Sequence, residues 1–249
     1  MSRPILLVTG GSRGIGAATC RLAAKRGFDV AVNYRTDADA AAAVVRSCEG
    51  AGARAIAVAG DVARDADIAA LFAAVDRGLG RLTHLVNNAG IVGRASRIDA
   101  ADPATIRAVI DLNVTGALLV AREAVKRIST RNGGAGGAIV NVSSGAATLG
   151  SPGDFVWYAA SKGAVDTMTM GLAKELAGEG VRVNAVAPGL ISTEIHNTTG
   201  DPTREARLAP TVPIGRAGSA DEVAETILFL LSPAASYVTG AILRVAGGR

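Results

Sequence analysis

Pro4-Ile5-Leu6-Leu7-Val8-Thr9-Gly10-Gly11-Ser12-Arg13-Gly14-Ile15-Gly16 is the stretch from which the fold is read, and Ala17 to Arg26 continues it with helical periodicity. The apolar run Pro4–Val8 reads as a buried strand, the glycines as a tight turn and the next ten residues as a helix. A helix start presents unpaired N–H groups and partial positive charge, and glycines let the backbone come close. Strand, glycine turn and helix together therefore make a ready pyrophosphate site. The spacing Gly10-x-x-x-Gly14-x-Gly16 is not the commoner G-x-G-x-x-G. In a chain with 31 glycines the pattern alone is weak. The strand before it and the helix after it add weight; the other reading is a tight turn without a ligand.

Outward from this unit the same alternation repeats. Strand-like runs fall at Ile5–Val8, Val30–Asn33, Ala55–Ala59, His84–Val86, Ala138–Val142, Val181–Ala187 and Ala241–Val245. Alanine-rich amphipathic stretches lie between them: Ala17–Arg26, Ala38–Ala51, Asp65–Leu79, Pro103–Arg131, Phe155–Ala177 and Ala220–Leu231. Repeated β-then-α units imply an α/β fold with right-handed crossovers, a seven-stranded parallel sheet carrying helices on both faces. The glycine-rich patch Asn132–Gly137 reads as a flexible joint before a strand, so residues 1–249 form one domain.

Composition fits that architecture. Of 249 residues 49% are hydrophobic and only 3% aromatic, so the core is built from Ala, Val, Ile and Leu, as suits parallel strands covered on both faces. No apolar run reaches the roughly 18 residues that span a bilayer, and no secretory leader pattern opens the chain. Cys20 and Cys48 both fall in expected helices without metal or redox spacing, which suits a reduced, cytoplasmic setting; no metal site is expected. The net charge of +4 comes from dispersed basic residues, so neither nucleic acid nor membrane is an expected partner.

Chemistry enters with Trp157-Tyr158-Ala159-Ala160-Ser161-Lys162. Four residues make about one helical turn, so Tyr158 and Lys162 share a face. A free phenol, with a pKa of about 10, is a poor proton donor or acceptor near neutrality. A cation beside it favours the phenolate and would move it toward a general acid/base. Taken alone, the spacing also fits a solvated helix face.

Together with Asp61-Val62, Asn87-Asn88-Ala89-Gly90, Asn113, Ser143-Ser144 and Pro188-Gly189, these motifs resemble the short-chain dehydrogenase/reductase family over the whole length. The resemblance implies a doubly wound Rossmann fold and hydride transfer between a nicotinamide cofactor and a small carbonyl or alcohol substrate. It gives Tyr158 the proton transfer, Lys162 the lowering of the Tyr158 pKa and a hold on the nicotinamide ribose, and Ser144 a hydrogen bond to the carbonyl oxygen. Asn113 would bend its helix and hold a proton-relaying water. Ser143 rivals Ser144, since Ser144 lies fourteen residues before Tyr158, one more than in many relatives. By the same resemblance the glycine turn (Gly10, Ser12, Arg13, Gly14, Ile15, Gly16) takes the pyrophosphate. Asn33, Tyr34 and Arg35 meet the adenosine ribose, and Asp61 and Val62 flank the adenine. Asn87, Ala89 and Gly90 line the ribose and nicotinamide side, Ile191 and Thr193 contact the carboxamide, and Pro188 and Gly189 also belong to the cofactor site.

Val32-Asn33-Tyr34-Arg35-Thr36 carries no carboxylate where NAD-preferring relatives place one. Arg13 and Arg35 converging on one place would suit a 2′-phosphate, so NADP(H) is the expected cofactor; if both are merely exposed, preference is slight. Residues from Leu190 to about Arg216, with Thr193, Glu194, His196, Asp201, Arg204 and Arg207, read as a loop over the substrate, and Leu149, Phe155 and Trp157 as an apolar wall. Ala246 stands where relatives often carry aspartate. The resemblance also implies a homotetramer, for which Ala117, Leu118, Ala121, Ala124, Met168, Leu172 and Leu176 offer surface on two long helices. The alternative function is an NADPH-binding sensor or regulator without significant turnover.

Overall fold

A computed structural model gives the fold and describes residues 3–194, 201 and 203–249. Its strands are β1 (Ile5–Val8), β2 (Asp29–Tyr34), β3 (Ala55–Ala59), β4 (His84–Asn87), β5 (Gly137–Val142), β6 (Val181–Pro188) and β7 (Ile242–Val245). They form one sheet ordered β3-β2-β1-β4-β5-β6-β7, every pairing parallel. Parallel neighbours need long crossovers, which the helices supply.

Helices α1 (Gly14–Lys25) and α2 (Ala38–Gly50) cover one face, and α3 (Asp65–Gly78) the other. Two helices follow β4: α4 (Pro103–Ile110) and α5 (Ala117–Ile128). After β5 come α6 (Ala146–Leu149) and α7 (Val156–Leu176), and after β6 come α8 (Arg204–Leu208) and α9 (Ala220–Leu231). Along β1, Leu6 and Val8 face the core with α1 and α9, whereas Leu7 and Ile5 face the core with α3, α5 and α7. Both faces are covered, which is why the strand sequences run continuously apolar rather than alternating. Local signals start the helices. Asp37 accepts from the Ala40 N–H (3.0 Å) to cap α2, Asp102 caps α4 ahead of Pro103, and Ser219 with Glu222 forms a reciprocal capping box on α9.

The long helix expected over Pro103–Arg131 is not continuous. A π turn, Asp111–Gly116, separates α4 from α5, and extended backbone at Ser129 ends α5 at Ile128. The wider turn lets Asn113 bond the backbone of Ile91 while Gly116 lies against the Val62 carbonyl, where a Cβ would come within 2.3 Å. Taken as one stretch, Pro103–Ile128 is long and apolar enough to cross a membrane, with mean hydropathy 1.5, contrary to the expectation from apolar runs. In the fold its Val120, Ala124 and Ile128 are buried against the sheet. Of the residues expected to offer subunit surface, Ala117, Ala121, Ala124 and Leu176 are likewise buried in their own chain; Leu118 is exposed.

Chain order reverses between β1 and β4, whose crossovers leave toward opposite edges. Their carboxyl ends open a crevice, the place where such sheets bind ligands.

Candidate active site

One half of the crevice is built on the glycine turn between β1 and α1. Gly10 (φ +61°) and Gly14 (φ +51°) occupy left-handed backbone that side chains disfavour. Gly16 serves differently: a Cβ there would stand 2.4 Å from the Gly10 carbonyl. Gly16 is therefore buried beneath the turn, permitting its close packing rather than facing the cleft. Thr9 and Asn88 lock the turn to β4. The Thr9 hydroxyl accepts from the N–H groups of Asn88 (2.9 Å) and Ala89 (3.1 Å), and the Asn88 amide donates to the carbonyls of Thr9 (2.9 Å) and Gly10 (3.1 Å).

Gly10, Ser12, Arg13, Gly14, Ile15, Tyr34, Arg35, Asp61, Val62, Ala89, Gly90 and Thr193 line this cleft of about 360 Å³. Arg13 and Arg35 are both exposed at its mouth, Arg35 at 3.9 Å from the Asp61 carboxylate. Asp37, the next carboxylate after β2, is committed to the α2 cap. Two residues expected at the cofactor also hold backbone. Asn33 borders the cleft, but its amide is spent on backbone: it accepts from Gly10 N–H (3.3 Å) and donates to Gly60 (3.0 Å) and Val58 (3.3 Å) carbonyls. Asn87 is buried, donating to the Ala117 carbonyl (2.8 Å), so it ties β4 to α5 and leaves Asn88 in the crevice.

Around the carboxyl ends of β5 and β6 a second cavity, of about 200 Å³, shares Ile15, Asn88, Gly90 and Thr193 with the first. Tyr158, Lys162, Ser143, Ser144, Pro188, Gly189 and Ile191 all line it. The structure separates the two serines. Ser144 lies beside the Tyr158 phenol in the cavity lining and accepts from Ala146 N–H (3.1 Å). Ser143 is buried, donating to the Lys162 carbonyl (3.3 Å), with the Asp166 carboxylate nearby. The residues between Ser144 and Tyr158 are taken up by α6 and a turn in which Gly150, Ser151 and Gly153 all have positive φ.

Lys162 is buried one turn past Tyr158, its ammonium donating to the Val142 carbonyl (2.7 Å) and standing 5.7 Å from the Tyr158 ring centroid. Burial draws its pKa down to about 8, against the pull of the Asp166 charge. The expected lowering of Tyr158 does not follow. Burial raises the phenol above its ordinary value, with only the Ser144 hydrogen bond working downward. The ammonium faces the aromatic ring and the Val142 carbonyl. Asn113 lies just behind, donating to the Ile91 carbonyl (2.9 Å) and Ser161 hydroxyl (3.0 Å) and accepting from Ile91 N–H (3.0 Å). Gly90 is wedged between it and Lys162: a Cβ would lie 3.2 Å from the Asn113 Oδ1 and 3.5 Å from the Lys162 Nζ.

Glycine turn, switch-point crevice and the Ser144, Tyr158 and Lys162 cluster thus occur on one continuous surface. A family model described as enoyl-(acyl carrier protein) reductase matches residues 10–249. The chain belongs to the short-chain dehydrogenase/reductase family. The uncharacterized oxidoreductase YgfF of Escherichia coli strain K12 is 49% identical over 98% of this chain and 99% of its own. Two solved structures superpose with a TM-score of 0.91. One is a 3-ketoacyl-(acyl-carrier-protein) reductase from Brucella melitensis complexed with NADH, 33% identical, covering 99% of this chain and 98% of that one. The other is a short chain dehydrogenase from Burkholderia cenocepacia J2315 in complex with NADP, 34% identical, covering 100% and 98%. The protein is an oxidoreductase of this family, and a nicotinamide cofactor fits its crevice.

Several residues of this dehydrogenase/reductase site depart from the sequence reading. Leu149 and Phe155 line the cavity, but Trp157 does not: its indole N–H donates to the Val92 carbonyl (2.9 Å), and it packs behind Val92. Ala246 lines the wall and packs so closely on Gly189 that a Cβ there would come within 2.8 Å. Of the expected covering loop, Thr193 and Arg204 reach the cavity, and His196 lies outside the described residues. Arg249 and Asn88 line it without having been expected there. Asn88 was visible within the Asn-Asn-Ala-Gly motif; nothing local marks Arg249. Among the described residues no group of three His, Cys, Asp or Glu side chains could hold a metal.

Proposed function

We propose that this oxidoreductase interconverts a small carbonyl compound and its alcohol with NADP(H), and that Tyr158 transfers the proton. The observation that carries the reading is Tyr158 beside Ser144, one helical turn from the buried Lys162, in a cavity that shares lining residues with the glycine-turn cleft. The nicotinamide, when bound, supplies or accepts the hydride. Ser144 and Tyr158 would both present O–H groups to a carbonyl oxygen. Ser144 stabilises the charge that develops on that oxygen, and Tyr158 gives up its proton to it. Lys162 would hold the nicotinamide ribose together with Tyr158, and Asn113 would keep Gly90 and Lys162 in register for a proton path.

Two features support NADP(H) over NAD(H). Arg13 and Arg35 lie exposed at the adenosine end, and the nearest carboxylate after β2, Asp37, is already bonded to its helix. A guanidinium fork suits a 2′-phosphate. The glycine turn takes the pyrophosphate, Asp61 and Val62 the adenine, and Pro188, Gly189, Ile191 and Thr193 the carboxamide. We also propose a homotetramer, with exposed Leu118 and Met170 in one interface and Phe229, Tyr237 and Leu243 in the other.

The test is Tyr158→Phe, assayed with NADPH across ketones, ketoacyl thioesters, quinones and sugars. Turnover should fall at least about 10²-fold while cofactor affinity stays near that of the unsubstituted protein. Saturable NADPH binding with no turnover of any carbonyl by the unsubstituted protein would favour a sensor or regulator instead.

A further inference from the structure

The cavity beside Tyr158 has an uneven charge. Lys162, Arg204 and Arg249 line it, and among the described residues no Asp or Glu side chain does. The rest of the wall is largely apolar, from Val92, Leu149, Phe155, Leu190 and Leu208. Lys162 is committed to the Val142 carbonyl and the chemistry. The two arginines have no part in that chemistry. Arg204 is held firmly: its guanidinium lies over the Phe155 ring, 4.7 Å from the centroid, and Nη1 donates to the Asp154 carboxylate at 2.9 Å. Asp154 itself stands outside the cavity lining, so it grips one edge of the fork from behind. Only 14% of the Arg204 side chain is exposed, which fixes its plane before any ligand arrives. Arg249, exposed, lines the cavity too; its backbone oxygen accepts from Arg244 Nη1 (3.1 Å), and its guanidinium has no ion pair among the described residues.

A cleft with positive side chains, no negative ones and low-dielectric walls concentrates anions. A planar fork with free N–H donors pairs best with a carboxylate. We infer that the pocket selects carbonyl substrates whose apolar body ends in a carboxylate, with Arg204 and Arg249 as the anion-recognising residues. The inference rests on the reductase reading above: the carbonyl meets Ser144 and Tyr158, the apolar body lies along Phe155 and Leu149, and the carboxylate reaches the arginines.

The experiment uses 4-acetylbenzoate and its uncharged counterpart 4-acetylbenzamide with NADPH. In parallel, binding of the non-reducible pair benzoate and benzamide is followed through Trp157, the chain's single tryptophan, which packs against Phe155. The acid should exceed the amide in kcat/KM by about tenfold or more, the lower end for a charge-assisted hydrogen bond, and benzoate should bind tighter than benzamide by a similar factor. Arg204→Gln and Arg249→Gln should each lower the acid-to-amide ratio, and Arg204→Lys should retain part of it. If Arg204→Gln fails to fold, Arg249→Gln carries the comparison. Turnover of both ketones with equal kcat/KM, or a ratio unmoved by either substitution, overturns the inference and leaves the reductase reading intact. Tighter binding of benzoate, lost in Arg249→Gln, with neither ketone reduced, supports the anion site and counts against the reductase reading.

Discussion

Lys162→Met should make the protein more stable and less active at once. The lysine's pKa falls from 10.5 to about 8 on folding, chiefly through burial. A shift of that size corresponds to about 3 kcal/mol held against the folded state wherever the ammonium stays charged. Methionine fills similar volume without charge but leaves the Val142 carbonyl without its donor, a loss of about 1–2 kcal/mol. The net gain at pH 7 is on the order of 1–2 kcal/mol. Its pH dependence gives the sharper test. Because the folded pKa lies below the unfolded one, the unfolded chain binds more protons between about pH 8 and 10.5, and the wild-type protein gains stability as pH rises through that window. The advantage of the variant should therefore shrink from pH 8 to 10.5. Guanidinium titrations of both proteins at pH 7, 8, 9 and 10 measure it, with NADPH-dependent turnover at pH 7 recording the loss of activity. A difference in stability that stays constant across those pH values would refute a buried, destabilised ammonium, as would a variant less stable by 1 kcal/mol or more at pH 7.

Neutral replacements of Arg13 and Arg35 should weaken NADPH by roughly tenfold to a hundredfold per arginine while changing NADH little, as calorimetric titration of both cofactors would show. Tighter binding of NADH than NADPH by the unsubstituted protein would rule out the 2′-phosphate assignment. His84, half-buried against Phe28 at the opposite end of β4, has its pKa pushed down to about 4 by desolvation and by the Arg182 charge. Its folded pKa lies below the unfolded one, so stability is lost as pH falls from about 6.5 toward 4, by up to about 3 kcal/mol. His84→Gln should flatten that slope in denaturation midpoints taken from pH 4.5 to 7; an unchanged slope would mean the imidazole titrates alike in both states. Light scattering at micromolar concentration should give about four times the 24.9 kDa chain mass, and a monomer mass would exclude the tetramer.

Much of the architecture was legible in the sequence because it depends on neighbours in the chain. Runs such as Ile5–Val8 are apolar without alternation because both faces of a parallel strand are covered, and each is followed by a stretch with helical periodicity. Tyr158 and Lys162 share a helix face by spacing alone, and the positive φ of Gly10 and Gly14 belongs to a turn whose residues are contiguous. What the sequence could not give depends on groups far apart in the chain. Ser143 and Ser144 are adjacent and chemically identical, and only the packing of β5 against α7 sends one to the Lys162 carbonyl and sets the other beside Tyr158. Asn33 and Asn87 look like ligand contacts until the carbonyls of Gly60 and Ala117 arrive to take their amides. The Tyr158 pKa turns upward because burial, a property of the assembled crevice, outweighs the neighbouring Ser144 hydroxyl. Arg204 and Arg249 line one cavity only in the folded chain, since a shared cavity wall is set by tertiary contacts and leaves no local pattern in the sequence.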